Sequence, residues 1–236
     1  LQKAFSFQNI YVGQSPYRAP AFFSMLASAE LKEGAIFPVG GIYSVIDKLM
    51  SVSKSKGVNF HFNKTIEQVL TTKGMASGVR FSDGSIKNAD LVVVNADLPN
   101  AYRNLLPDKQ IARRLNKMKY SCSAFVFHWG LDKVYADLGH HSIFLSEDYK
   151  HNLQVIFKNK ALAPDPSFYI HAPARTDPKA APLGMDTISA IVPVGHISNK
   201  HPQPWDEYRA LARKSVFERL AHFGMAELPD SIKFEV

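Results

Sequence analysis

The sequence predicts a mixed α/β (α+β) chain, and three observations carry that prediction. Apolar residues fall at helical spacing from Ile42 to Val52, with Gly57 as a stop signal. Period-two runs then bracket a Ser82-Asp83-Gly84 turn, the pattern of a β-hairpin. Leu91-Val92-Val93-Val94 follows as a continuous apolar run, as expected of a strand covered on both faces.

Taken in order, residues 1–12 read as a short helix stopped by Gly13 and Pro16. Ala21 to Leu31 reads as a second helix, with Phe22, Phe23, Met25, Leu26 and Leu31 covering most of one side. Ala35 to Val39 is a short strand or extended segment leading into Gly40-Gly41, ahead of the helix from Ile42 to about Lys56. Val58, Phe60 and Phe62 alternate with polar neighbours as a strand, followed by strands over Ile66–Leu70, Ser77–Phe81 and Ser85–Asn88. After Pro99, Ala101–Leu106 and Ile111–Met118 look helical and Ser121–Leu131 is a long β-type run. Strands are expected at Ser142–Leu145, Phe168–His171 and Thr187–Val194, with a helix over Asp148–Lys160. Pro204 to Phe223 is an amphipathic helix, its stripe made by Trp205, Tyr208, Leu211, Ala212, Val216, Leu220 and Phe223. The chain starts at Leu1 without a signal-peptide pattern and closes on Ile232–Val236, a strand-like run with nothing after it to pair with. That ending suggests a piece of a longer protein.

With 236 residues, 46% hydrophobic and 21% charged, the composition is that of a globular protein and excludes disordered, collagenous and disulfide-scaffold classes. No apolar run approaches the roughly 18 residues of a membrane-spanning helix. The net charge of +7 is spread out, with ten basic against seven acidic residues up to position 100 and eighteen against fourteen after it. Spread charge fits a solvated surface and argues against a nucleic-acid stripe. The single Cys122 can form neither an internal disulfide nor a thiolate metal site, which fits a reducing, intracellular compartment.

Motif chemistry is sparse. There is no G-x-G-x-x-G, no G-x-x-x-x-G-K-[ST], no H-E-x-x-H and no G-x-S-x-G. His140-His141 is the only adjacent histidine pair, and neighbours on a strand point to opposite faces, so a polar pair is favoured over a metal site. Cys122 reads as a small buried hydrophobe. Gly40-Gly41, set between an extended segment and a helix, can let backbone approach a flat or charged ligand, or simply turn the chain. The basic run Arg103, Lys109, Arg113, Arg114, Lys117 and Lys119 meets only Asp108. It makes either a solvated helix face or a surface for anionic headgroups.

Several stretches together resemble the phytoene desaturase family of bacterial and fungal carotenoid desaturases, within the wider amine-oxidase-like flavoproteins. They are Ala4-Phe5-Ser6-Phe7-Gln8, Pro38-Val39-Gly40-Gly41, Asn95-Ala96-Asp97, the run Asp165 to Pro173, Arg175-Thr176-Asp177-Pro178 and Ala181-Pro182-Leu183-Gly184. The resemblance runs in order along essentially the whole chain. It implies part of an FAD-binding Rossmann-like domain over 35–98, after a membrane-facing helical cap over 1–34. A mixed-sheet substrate domain, incomplete at its C-terminus, would span 99–236. The family's glycine fingerprint for the FAD pyrophosphate is missing, so the chain resembles a central segment, inactive by itself.

The resemblance also implies site residues. Ile66 would contact the adenine side of FAD through its backbone. Asn95, Ala96 and Asp97 would form the turn beside the cofactor, with Ala-Asp where related flavoproteins often carry Thr-Gly. Gly40 and Gly41 would lie near the isoalloxazine or the substrate path. The implied reaction draws hydrogen from a long, phytoene-like C40 isoprenoid, passing a hydride to FAD (rather than NAD(P)) and losing a proton. No catalytic acid or base is assigned, and no metal. Phe125, Phe127, Trp129 and Phe168 are candidates to line an apolar tunnel, or equally to pack a core. Peripheral attachment to a membrane surface through Phe22, Phe23, Met25 and Leu26 would suit such a substrate. Rival readings are a retinol saturase or carotenoid isomerase type, and a non-catalytic isoprenoid- or lipid-binding module.

Overall fold

The computed structural model describes residues 2–106, 108–198 and 202–236; Leu1 lies outside them. The chain divides into two compact units, one of residues 1–50 with 121–236 and one of residues 51–120.

The larger unit begins with α1 (Gln2–Ser6), a single 3₁₀ turn, and α2 (Ser24–Glu33), which Gly34 ends at φ +74°. The amphipathic segment becomes α3 (Ile42–Ser55). In the smaller unit β1 (Ile66–Thr72) and β2 (Met75–Phe81) are joined by Lys73-Gly74, both at positive φ, the mirror-image turn that matches strand twist. β3 (Ile86–Asn88) completes a three-stranded antiparallel sheet in the order β1-β2-β3. At the intervening turn the Asp83 carboxylate accepts the Ser85 N–H at 3.0 Å and pairs with Lys64. Then come α4 (Leu98–Asn100), a π-turn over Ala101–Leu105, and α5 (Lys109–Leu115), where Asp108 caps the N–H groups of Gln110 and Ile111.

The rest of the larger unit is built on one sheet. Its strands are β4 (Ser123–Leu131), β5 (His141–Phe144), β6 (Phe168–His171), β7 (Asp186–Val194) and β8 (Ile232–Glu235), in the order β5-β6-β7-β4-β8. Every pairing is antiparallel, where a mixed sheet was expected. Helix α6 (Tyr149–Gln154) runs on into a second π-turn, and α7 (Trp205–Ala221) and α8 (Leu228–Ser231) precede β8. Alternation sends Phe127, Trp129, Phe168, Ile170, Ile188, Ala190 and Val192 to one face, where they bury against Ala212, Val216 and Leu220 of α7. Trp129 lies 5.0 Å from the Phe217 ring, and Arg213 forks onto Glu235 at 2.8 and 2.7 Å, tying α7 to β8.

Residues 35–38 form no strand and Val39 already belongs to the Gly40 turn; 58–61 likewise form no strand, and the chain turns at Phe62 and Asn63, the latter at φ +55°. Leu91–Val94 is not a buried strand. No described strand pairs with it, and Leu91 and Val93 are 78% and 82% exposed. The terminal strand does have a partner: β8 pairs with β4, and His128 and Val236 exchange backbone hydrogen bonds at 2.9 and 3.0 Å. In α7, Leu211 falls outside the buried stripe, and Phe223, expected in the same helix, lies exposed in the turn after it. Cys122 is half-buried, and burial raises its thiol pKa.

Leu220 is fully buried and Leu211 is 40% exposed on the same helix. Leu220→Ala is therefore expected to lower unfolding free energy by about 2–5 kcal/mol. Leu211→Ala should change it by roughly 0.5 kcal/mol or less. Denaturant titration followed by tryptophan fluorescence checks both, since both tryptophans, Trp129 and Trp205, lie in the larger unit.

Candidate functional site

The sheet face turned away from α7 carries a different chemistry. His141 of β5 stands opposite His171 of β6, His171 opposite Ser189 of β7, and Ser189 opposite His128 of β4. Cross-strand partners share a face, so these four side chains form one polar row across four strands. Beside it runs an apolar row, Ile143, Tyr169, Ile191 and Val126, matched by the same registers. Val126 is 43% exposed, while its neighbours Phe125 and Phe127 turn to the core.

The polar row is hydrogen-bonded along its length. His128 Nδ1 meets Ser189 Oγ at 2.7 Å, and His141 Nδ1 meets the Tyr169 hydroxyl at 2.6 Å. His140, just before β5, sets its Nε2 2.9 Å from His171 Nε2, and its Nδ1 against Thr176 Oγ1. One proton fits between the two facing Nε2 atoms; a second would bring two N–H groups head to head. Burial, then His140, His141 and His128, push the His171 pKa down to about 4. Burial, then His141, also lowers His140. Both rings are neutral bases at pH 7. Burial raises the Tyr169 hydroxyl to about 12, so it remains a donor.

The segment after β6 holds this cluster to the glycine turn. Arg175 donates from Nε to the Leu138 carbonyl at 2.9 Å and from Nη2 to the Tyr135 carbonyl at 2.5 Å. The same guanidinium grips Asp186 at 3.2 and 2.6 Å, and the Asp186 side chain has no exposed surface. Next in sequence, Thr176 holds His140, and the buried Asp177 carboxylate accepts the Gly40 N–H at 2.7 Å. Phe37 completes the contact, its ring 4.9 Å from His140 and 5.9 Å from His171.

Gly40 and Gly41 stand at φ +84° and +78°, where other residues are strained. A Cβ built on Gly41 meets nothing within 4 Å, so that side of the turn is open to a flat ring. The amides are engaged inside the protein, Gly40 with Asp177 and Gly41 with the Pro38 carbonyl at 3.0 Å. The turn thus leaves open space on the Gly41 side and presents no free N–H from these two residues.

The other expected residues lie in the smaller unit. Ile66 is half-buried at the start of β1, opposite Phe81. Asn95, Ala96 and Asp97 are exposed, and the Asp97 side chain caps α4 by accepting the Asn100 N–H at 3.0 Å. Phe127, Trp129 and Phe168 are core residues, and Phe125 packs partly buried against them. The histidine row was missed because its members are far apart in sequence. The one signal available was parity: placing Phe127 and Trp129 inward puts His128 outward. No group of three or more metal-ligating side chains with suitable geometry occurs among the described residues.

Residues 1–174 match the model of the flavin containing amine oxidoreductase family. Among curated proteins, the phytoene desaturase of Neurospora crassa is 42% identical over 97% of this chain and 41% of its own length. The zeta-carotene-forming phytoene desaturase of Myxococcus xanthus is 38% identical over 100% of the chain and 45% of its own length. The 4,4'-diapophytoene desaturase (4,4'-diapolycopene-forming) of a Methylomonas species is 33% identical, covering 100% and 46%. The chain thus spans less than half the length of these curated relatives. Among solved structures, an oxidoreductase from Methanosarcina mazei aligns with TM-score 0.60 at 18% identity, over 99% of this chain and 51% of its own. A Pyrococcus furiosus protein aligns with TM-score 0.64 at 14% identity, covering 99% and 52%. These two likenesses concern the fold alone.

A histidine whose folded pKa is depressed lets the unfolded chain bind protons first as pH falls. For His171 that window runs from 6.5 down to about 4, and stability present above it is lost within it. The thermal midpoint of the wild type is expected to drop across this range more steeply than that of His171→Gln, read by melting curves at stepped pH. Parallel curves would contradict the assignment.

Proposed function

The chain belongs to the flavin containing amine oxidoreductase family, and on that premise we propose that it is the central part of a carotenoid desaturase. The parent enzyme would introduce conjugated double bonds into a C40, phytoene-like isoprenoid during carotenoid biosynthesis. The observation that carries this reading is the outer sheet face, where an apolar row runs beside the His140–His171 pair, itself tied through Thr176 and Asp177 to the Gly-Gly turn. A polyene has no polar handle, so it must be held by apolar surface, and Ile143, Tyr169, Ile191 and Val126 supply a continuous strip of it.

FAD, when bound, supplies the hydride acceptor. In this chain Gly40 and Gly41 would give its ring system backbone to lie against. Within the smaller unit, the backbone at Ile66 and the turn Asn95, Ala96 and Asp97 are the candidates for an adenine contact. A carbon that has lost hydride makes its neighbouring C–H strongly acidic, so a weak base is sufficient to take the proton. We assign that role to the His140–His171 pair; the Nε2 contact already holds one proton, so the incoming proton would be taken at His171 Nδ1. Tyr169 and Ile191 flank it half-buried, and a polyene lying over them would exclude water.

Delivery of so apolar a substrate fits peripheral attachment to an intracellular membrane. No helix among the described residues is long and apolar enough to cross one. Phe22 and Met25 are 62% and 70% exposed at the start of α2, beside the half-buried Phe23 and Leu26, and would dip into the interface.

The test places residues 1–236 in the aligned segment of the Neurospora crassa phytoene desaturase, in a phytoene-accumulating host. The expected chimera co-purifies with flavin, fractionates with membranes and forms coloured polyenes, whereas residues 1–236 alone form none. His171→Gln in the chimera is expected to keep the flavin and lower kcat about 10²-fold. A chimera that binds flavin yet leaves phytoene untouched would overturn the substrate, and one that binds no flavin would favour a lipid-binding module.

A further inference from the structure

The smaller unit holds a cavity of about 550 Å³ that plays no part in the reading above. It is lined from β1 by Glu67 and Gln68, from β2 by Arg80, from the π-turn by Arg103 and from α5 by Lys109 and Arg113. Four cationic side chains therefore converge from three directions upon one carboxylate. That carboxylate is already taken, since Arg80 Nε lies 3.2 Å from Glu67 Oε2 and its Nη2 bonds Gln68. Arg103 gives one donor to Asn116 Oδ1 at 3.1 Å, leaving the rest of its fork free. Lys109 and Arg113 have no ion pair among the described residues, and the nearby Asp108 spends its carboxylate capping α5. Tyr102, Asn104 and Asn116 add neutral polar groups to the wall.

Like charges gathered in one concavity repel each other, and a counter-charge inside relieves that repulsion. Guanidinium forks match the paired oxygens of a phosphate in shape, and a flexible lysine adds a point charge. We propose that this cavity is a binding site for a phosphate-bearing anion, gripped chiefly by Arg103, Arg113 and Lys109. Phosphate chemistry of this kind reaches a protein in two ways, as the headgroup of an anionic phospholipid or as a free phosphate or pyrophosphate. None of its residues belongs to the sheet face or the glycine turn, although Glu67 and Gln68 follow Ile66 on β1.

The test compares residues 1–236 with two double variants of equal charge change, Arg103→Gln/Arg113→Gln in the cavity and Lys117→Gln/Lys119→Gln outside it. Inorganic pyrophosphate is titrated by calorimetry, and vesicles with and without phosphatidylglycerol are used in co-sedimentation. Binding of either probe weakened at least 10-fold by the cavity pair and little by the outer pair would support the site. Pyrophosphate would then identify a free anion, and phosphatidylglycerol vesicles a headgroup. Lys109→Gln alone, a single exposed change, should act in the same direction if the double variant folds poorly. Equal weakening by both pairs would show only a generally basic surface, and no binding of either probe would leave no anion site; either result overturns the proposal.

Discussion

Asp186 opens β7 with its carboxylate wholly out of water, and an ionised group in that position is costly unless it is matched in charge and hydrogen bonds. Arg175 provides the match. Its guanidinium holds both carboxylate oxygens while its remaining donors reach two backbone carbonyls, at Leu138 and Tyr135. The geometry of that fork fixes the short segment between β6 and β7, and with it Thr176 and Asp177. Those two residues carry the constraint outward, Thr176 to the His140 ring and Asp177 to the Gly40 amide. Four places far apart in sequence are thereby held around one buried charge.

On the sheet, the two faces are specialised by residue parity alone. Odd-numbered positions of β4 pack with α7, and even-numbered ones present Val126 and His128 to the opposite side. A one-residue slip of any strand would exchange core and site, so the packing of Trp129 and Leu220 also specifies where the histidines point. Core packing and the orientation of the histidine row are coupled there through register rather than through shared side chains.

Much of the fold was readable in the sequence because it rests on local rules. The helix over Ile42–Ser55, the hairpin around Asp83 and the strands β4, β6 and β7 follow from periodicity and turn chemistry. Failures came where a local pattern needs a distant partner. Val58–Phe62 and Leu91–Val94 have the composition of strands, but no described strand hydrogen-bonds to them. Parity could be read for β4, but which parity faces inward depends on where α7 packs. Gly40 and Gly41 were legible as a turn, whereas the carboxylate that anchors it lies 137 residues away. The resemblance placed Arg175, Thr176 and Asp177 in one family stretch; their bonds emerge only in three dimensions.

The Arg175–Asp186 pair, its carboxylate buried, positions the glycine turn through Asp177. Amide hydrogen exchange at Gly40, followed by NMR in Arg175→Lys, tests it most directly, because lysine keeps the charge and loses the fork. Gly40 is expected to lose its protection while the core amides of Phe127 and Val192 keep theirs. Undiminished protection at Gly40 in that variant would contradict it.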